Sequence, residues 1–163
     1  MTFKNKMISA LIISLIILVI VFQSSNLRNN IKELTIIKMP IENCMPQERI
    51  CNIKINDIEV SVSFEKEIFY LKPFKVSLFS ENKNSNGIDA VYIDFKMRNM
   101  DMGVNRFLLS GTDSKNNKQN WQGKALLPIC VTGRADWYSE LEIIIDKKKY
   151  IVSFPLTVMQ AAR

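Results

Sequence analysis

Ile53-Lys54-Ile55-Asn56-Asp57-Ile58-Glu59-Val60-Ser61-Val62-Ser63-Phe64 is the stretch whose period decides the fold class. Ile53 and Ile55 alternate with Asn52, Lys54 and Asn56, and Ile58, Val60, Val62 and Phe64 alternate with Glu59, Ser61 and Ser63. A period of two sends alternate side chains to opposite faces of a strand. The turn residues Asn56-Asp57 between two such runs predict a hairpin with one face on a core.

Downstream the same period returns. Pro73 opens Phe74, Val76 and Leu78 against Lys75, Ser77 and Phe79. Val91, Ile93, Phe95 and Met97 alternate with Tyr92, Asp94 and Lys96, and Arg106 to Ser110 is a further candidate. Lys124 to Thr132 reads as a strand interrupted by Pro128, hence an edge or a bulge. Leu141, Ile143 and Ile145 form one more strand, Lys147 to Lys149 a turn, and Tyr150 to Phe154 the last strand. Glu81 to Gly87 and Thr112 to Asn120 are polar loops. No long helical stripe follows residue 40. The expected fold is all-β, an immunoglobulin-like antiparallel sandwich of seven or eight strands over residues 50–163, with a small barrel as the alternative.

Upstream, Met7 to Phe22 are sixteen positions that only Ser9 and Ser14 interrupt, behind Lys4 and Lys6. As a helix they rise about 24 Å, slightly less than a hydrocarbon core of roughly 30 Å. Phe3 and Leu27 extend the run, and Lys4 and Lys6 can snorkel. A cleaved signal peptide is the competing reading, but small residues at its cleavage positions are hard to place near Gln23 to Ser25. Residues 1–26 are therefore expected to be a membrane anchor or signal-anchor and 27–49 a stem. Within that stem, Ile31 to Met39 is either a short helix or an extended segment. The short N-terminal tail stays cytoplasmic, which places the C-terminal domain in the periplasm or outside the cell.

The chain of 163 residues carries a formal charge of +6 and no histidine. A histidine base, a Ser-His-Asp triad and any histidine-containing metal site are thereby excluded within it. The basic residues are scattered, and the run Lys147-Lys148-Lys149 reads as a turn, so nucleic acid is not an expected partner. No paired carboxylates stand out, and the chain is not expected to be an enzyme.

Cys44, Cys51 and Cys130 are an odd number for an oxidising compartment. Cys44 and Cys51 flank a turn containing Pro46, which permits the alpha-carbon separation of about 4.4–6.8 Å that a disulfide needs. A structural bridge there is the first reading, and pairing of either with Cys130 the second. If reduced, Cys44, Met45 and Cys51 make a soft metal site. Cys130 is either a small buried apolar side chain or a thiolate ligand.

Met97, Met100 and Met102 surround Asp101 and precede Gly103. Met97 continues an apolar strand face, so core filling is its plain reading. Met100 and Met102, two residues apart, share a side if the segment is extended. Thioethers and thiolates select Cu(I) and need no histidine. Met97, Met100, Met102 and Cys130 are the candidate ligands. Asp89, Asp94 and Asp101 match no calcium loop. Thr132 to Trp137 is a second unusual segment, read as a loop pinned by an Arg134–Asp136 pair with Trp121 and Trp137 as core-edge aromatics, or as a docking surface that includes the two tryptophans. Arg106 is a candidate to balance Asp101 or Asp136.

The membrane segment, the spaced cysteines, Met97 to Leu109 and Trp121 to Trp137 together resemble small membrane-anchored bacterial proteins. More distantly the chain is similar to FixH-like and YtkA-like exported β-sandwich proteins. Met100, Met102 and Gly103 carry the first element of that resemblance, and Trp121 and Gly123 the second. The resemblance covers roughly residues 50–155 and implies copper handling or respiratory oxidase assembly. Two expectations follow. One is a membrane-tethered accessory that binds Cu(I) and delivers it to a copper-receiving protein. The other is a metal-free assembly module at a membrane complex. Thiol-redox chemistry at Cys44 and Cys51 is a third, weaker alternative.

Overall fold

A computed structural model describes residues 13–18, 34–39, 43–82, 87–111, 118–129 and 133–159. The chain divides into a unit of Met1–Leu34 and a unit of Thr35–Arg163. In the first, residues 13–18 are helical. No helix among the described residues is long and apolar enough to cross a membrane. The rest of the expected anchor lies outside the described residues.

The second unit is built from strands. They are β1 (Thr35–Lys38), β2 (Cys51–Ile55), β3 (Ile58–Phe64), β4 (Phe74–Asn82), β5 (Ala90–Met97), β6 (Arg106–Gly111), β7 (Lys118–Ala125), β8 (Trp137–Ile145) and β9 (Lys148–Pro155). They join in one sheet, ordered β1-β9-β8-β5-β6-β7-β4-β3-β2 and curled into a half-barrel. Every pairing is antiparallel except β1 with β9.

The deciding hairpin forms as its period requires. Ile53 faces Val60 and Ile55 faces Ile58, with Asn56 at φ 53° in the turn. Asp146 and Lys147 both have positive φ, the backbone that lets a two-residue turn follow the strand twist between β8 and β9. In β6, Val91 and Ile93 of β5 pair with Leu109 and Phe107, while Ser110 and Gly111 pair with Gln122 and Trp121 of β7. The strand thus passes from one half of the curl to the other.

One core fills the concave side. Val60, Val62, Val76 and Leu78 come from one half; Ile93, Phe95, Leu141, Ile143, Val152 and Phe154 come from the other. The Phe74 and Phe95 rings meet edge-on across it, 5.4 Å apart, although β4 and β5 are not sheet neighbours. Burial of these alternating faces is the main force holding the curl closed.

Some expectations hold and others need correction. Residues 50–163 hold eight antiparallel strands among the described residues, within the expected seven or eight; the addition is β1 from the stem, which makes nine and brings the one parallel strand pairing. The undecided segment Ile31 to Met39 is extended at Thr35–Lys38, where it adds to the exposed edge of β9. The strand expected at Lys124 to Thr132 runs instead over Lys118–Ala125, so Lys118 to Asn120 belong to a strand and not to the polar loop. Pairing with the long β4 recruits those polar residues, from Phe74↔Ala125 to Glu81↔Lys118. The bridge read first between Cys44 and Cys51 is present, with alpha carbons 5.8 Å apart.

Candidate functional site

A groove lies on the outward face of the sheet, over β8 and β9. Along β8, Trp137, Ser139, Leu141 and Ile143 point into the core, and alternation turns Tyr138, Glu140 and Glu142 outward. Along β9, Ile151, Ser153 and Pro155 point outward. The register aligns Tyr138 with Pro155 and Glu140 with Ser153, and sets Lys38 of β1 beside Ile151. These side chains floor a groove of about 810 Å³. Arg98, Asn99 and Asp136 wall one end of it, and Met39 sits at the end of β1.

That end wall is locally braced. Asn99 takes φ 56° in the turn after β5, and Met100 N–H donates to the Met97 carbonyl at 3.4 Å. The Arg134 guanidinium grips both carboxylate oxygens of Asp136 and donates to the Arg98 carbonyl at 2.8 Å. Tyr70 Oη donates to the Arg134 carbonyl and accepts from Trp137 Nε1 at 3.1 Å. The hydrogen bond from Arg134 holds the Asp136 carboxyl below its ordinary value of 3.8, against desolvation, and the nearby Arg98 charge adds to the effect.

Beside the groove runs a belt of ion pairs on the same face. Lys96 bonds Glu140 and lies 3.5 Å from Asp94. Arg106 and Lys149 both reach Glu142. Arg106 also stacks over the Tyr92 ring, 3.7 Å from its centroid. Its partner is therefore Glu142, not Asp101 or Asp136. A cross-strand neighbour is closer than any loop carboxylate, and only the register reveals it.

Of the candidate metal residues, Met97 and Met100 lie side by side, joined by a backbone bridge. Met97 is 2% exposed and fills the core, which is its plain reading. Met100 and Met102 are half-buried and pack against that core from the loop after β5. Gly103 N–H donates to Asp101 Oδ1 at 2.8 Å and closes that loop. Cys130 lies outside the described residues. Among the described residues no three His, Cys, Asp or Glu side chains converge as a metal site.

The Arg134–Asp136 pair exists, and the loop is pinned as the simpler reading has it. Trp121 and Trp137 are buried at 7% and 3% exposure, and Trp137 also lines the groove. The groove residues Lys38, Arg98, Tyr138, Glu140, Ser153 and Pro155 were not singled out from sequence. They come from four separate segments, and the only local signal was the outward parity of Tyr138 and Glu140. Comparison with protein-family models, curated proteins and solved structures finds no match.

Proposed function

We propose that this chain is a membrane-tethered, exported interaction module that presents the β8–β9 groove to a partner protein. The supporting observation is the groove itself, whose lining sets the apolar surfaces of Met39, Tyr138, Ile151 and Pro155 beside the charged Lys38 and Arg98. In this reading the curl is an immunoglobulin-like sandwich with β6 crossing between its layers, and the belt of ion pairs stiffens the face that bears the groove.

The test is site-specific photocrosslinking in cells of the native host, with the photoreactive residue at Tyr138 and, as control, at Lys54 on the opposite edge hairpin. A discrete membrane-fraction adduct at Tyr138 and none at Lys54 is the expected result. Recovery of the chain free in the cytoplasm, or equal adducts at both positions, would end the reading.

A second reading keeps Cu(I). Met100 and Met102 are both half-buried on one braced loop, and Cys130 is the thiolate that would join them. Anaerobic titration of the reduced chain against a chromophoric Cu(I) chelator tests it. Stoichiometric retention that Met100→Leu plus Met102→Leu abolishes is the outcome required; retention unchanged in that variant sinks it.

A further inference from the structure

The groove's chemistry narrows what it can hold. Lys38 and Arg98 line it and form no ion pair among the described residues. Its two acids are already engaged, Asp136 by Arg134 and Glu140 by Lys96. Extending the count along the belt does not change the sign. Lys38, Lys96, Arg98, Arg106, Arg134 and Lys149 stand against Asp94, Asp136, Glu140 and Glu142. A surplus of two positive charges is left at the groove. The surfaces between them are apolar, from Met39, Tyr138, Ile151 and Pro155.

The backbone adds direction. β1 ends at Lys38, opposite Ile151, whereas β9 continues to Pro155. Beyond Ile151 no described strand lies on that side of β9. The Ile151 carbonyl accepts from Met39 N–H, so it faces the β1 side. Amide and carbonyl alternate sides together along a strand, which turns the Ser153 N–H and C=O the same way, into the groove. Pro155 has no N–H and ends the ladder there. An extended chain laid in this place continues the edge that β1 begins, pairing with one or two residues while its side chains meet the cationic and apolar walls.

We infer that the groove binds an extended, acidic segment of a partner polypeptide, laid along β9 beyond the end of β1. This deepens the interaction-module reading and rests on it for the identity of the occupant as a protein.

The test uses the full chain in nanodiscs of neutral phosphatidylcholine and two rhodamine-labelled hexapeptides, one of alternating Glu and Val and one of alternating Lys and Val. Fluorescence anisotropy is expected to show saturable binding of the acidic peptide, at least tenfold tighter than the basic one and weakened by salt. The double variant Lys38→Glu, Arg98→Glu, both at exposed positions, is expected to lose tenfold or more. Ser153→Pro removes the outward amide without touching the β8 pairing and is expected to lose severalfold, with an unchanged melting temperature as the check on folding. Equal binding of the two peptides, or affinity indifferent to the Lys38 and Arg98 changes, would overturn the proposal. So would displacement of the peptide by dodecanoate together with indifference to Ser153→Pro, which would assign the groove to a small anionic amphiphile. Self-association of the chain that the double variant abolishes would assign it to a second copy and overturn it likewise. The peptide titration is independent of cellular location. Its failure alongside a Tyr138 adduct therefore removes this inference alone, whereas loss of membrane residence removes the tethered reading.

Discussion

Lys96 sits between two carboxylates that the register places opposite one another. Asp94 and Glu140 are direct cross-strand partners, an arrangement that repels unless a cation intervenes. Burial draws the Lys96 ammonium down, but the hydrogen bond and charge of Glu140, then the charge of Asp94, outweigh it and hold it above its ordinary 10.5. A raised folded value means that the contribution is fully present below the unfolded value and disappears as pH rises through the folded one. Lys96→Met is expected to lose about 1–2 kcal/mol at pH 7, less than a fully buried pair because the side chain is 37% exposed. The gap to wild type should close above the lysine range. Urea unfolding at neutral and strongly basic pH checks both halves, and no loss at pH 7 would refute the pairing. Gly111 illustrates a different constraint. A Cβ there would lie 2.7 Å from the buried Trp121 ring, so Gly111→Ala is expected to cost about 1–3 kcal/mol in thermal unfolding. From sequence, Trp121 reads as a core-edge aromatic or as part of a docking surface, and its burial answers to the first. Parity puts it inside, and that parity shows only once β7 is paired with β4.

The Cys44–Cys51 segment works as a clip between elements. The Gln47 side chain behaves like a short piece of strand. Its Nε2–H donates to the Thr157 carbonyl and its Oε1 accepts from Thr157 N–H, both at 2.8 Å. Phe64 N–H donates to the Pro46 carbonyl beside it, at 2.9 Å. The clip therefore joins the start of β2 and the end of β3 to the segment after β9. Closing the short Cys44–Cys51 loop is worth about 2–3 kcal/mol on the chain-entropy account. Cys44→Ser plus Cys51→Ser should lose that much, and Gln47→Ala about 1–2 kcal/mol; melting with and without reductant measures the two separately. The Gly133–Asp136 segment has its own pH signature. A depressed carboxyl contributes above the unfolded value and is lost as pH falls through the folded one. Since Arg134 is tied through Tyr70 to the Trp137 indole, acidification below the ordinary 3.8 of Asp136 should shift tryptophan fluorescence before global unfolding. Asp136→Asn should show the shifted signal already at neutral pH. The spacing of Cys44 and Cys51 announced the bridge; nothing around Gln47 announced its partner, because Thr157 lies 110 residues away.

Across the whole molecule, order should decline from the centre of the sheet to its β1 edge. β5, β8 and β9 bury most of their inward side chains, while all four residues of β1 are exposed. Native-state hydrogen exchange is expected to find the β8 and β5 amides slowest, near global stability, and the β1 amides faster by at least a hundredfold. Equal protection of β1 and β8 would mean that β1 is an integral part of the fold and not an added edge. The sequence by itself determined that residues 50–163 are β, which side chains of most strands point inward and where the Asn56–Asp57 turn falls, and it put the Cys44–Cys51 bridge first. All of these are local, set by a period of two, by turn chemistry and by short reach along the chain. Tertiary structure alone decided the strand order, the parallel addition of β1, the pairing of Arg106 with Glu142, and the groove. Alternation names the face on which a side chain lies but not the strand that will lie beside it. That choice is made by burial of the two halves of the curl against each other, between segments far apart in the chain. The groove is a by-product of the same choice: β1 stops at Lys38, β9 runs on to Pro155, and the turn at Arg98 and Asn99 closes over the end.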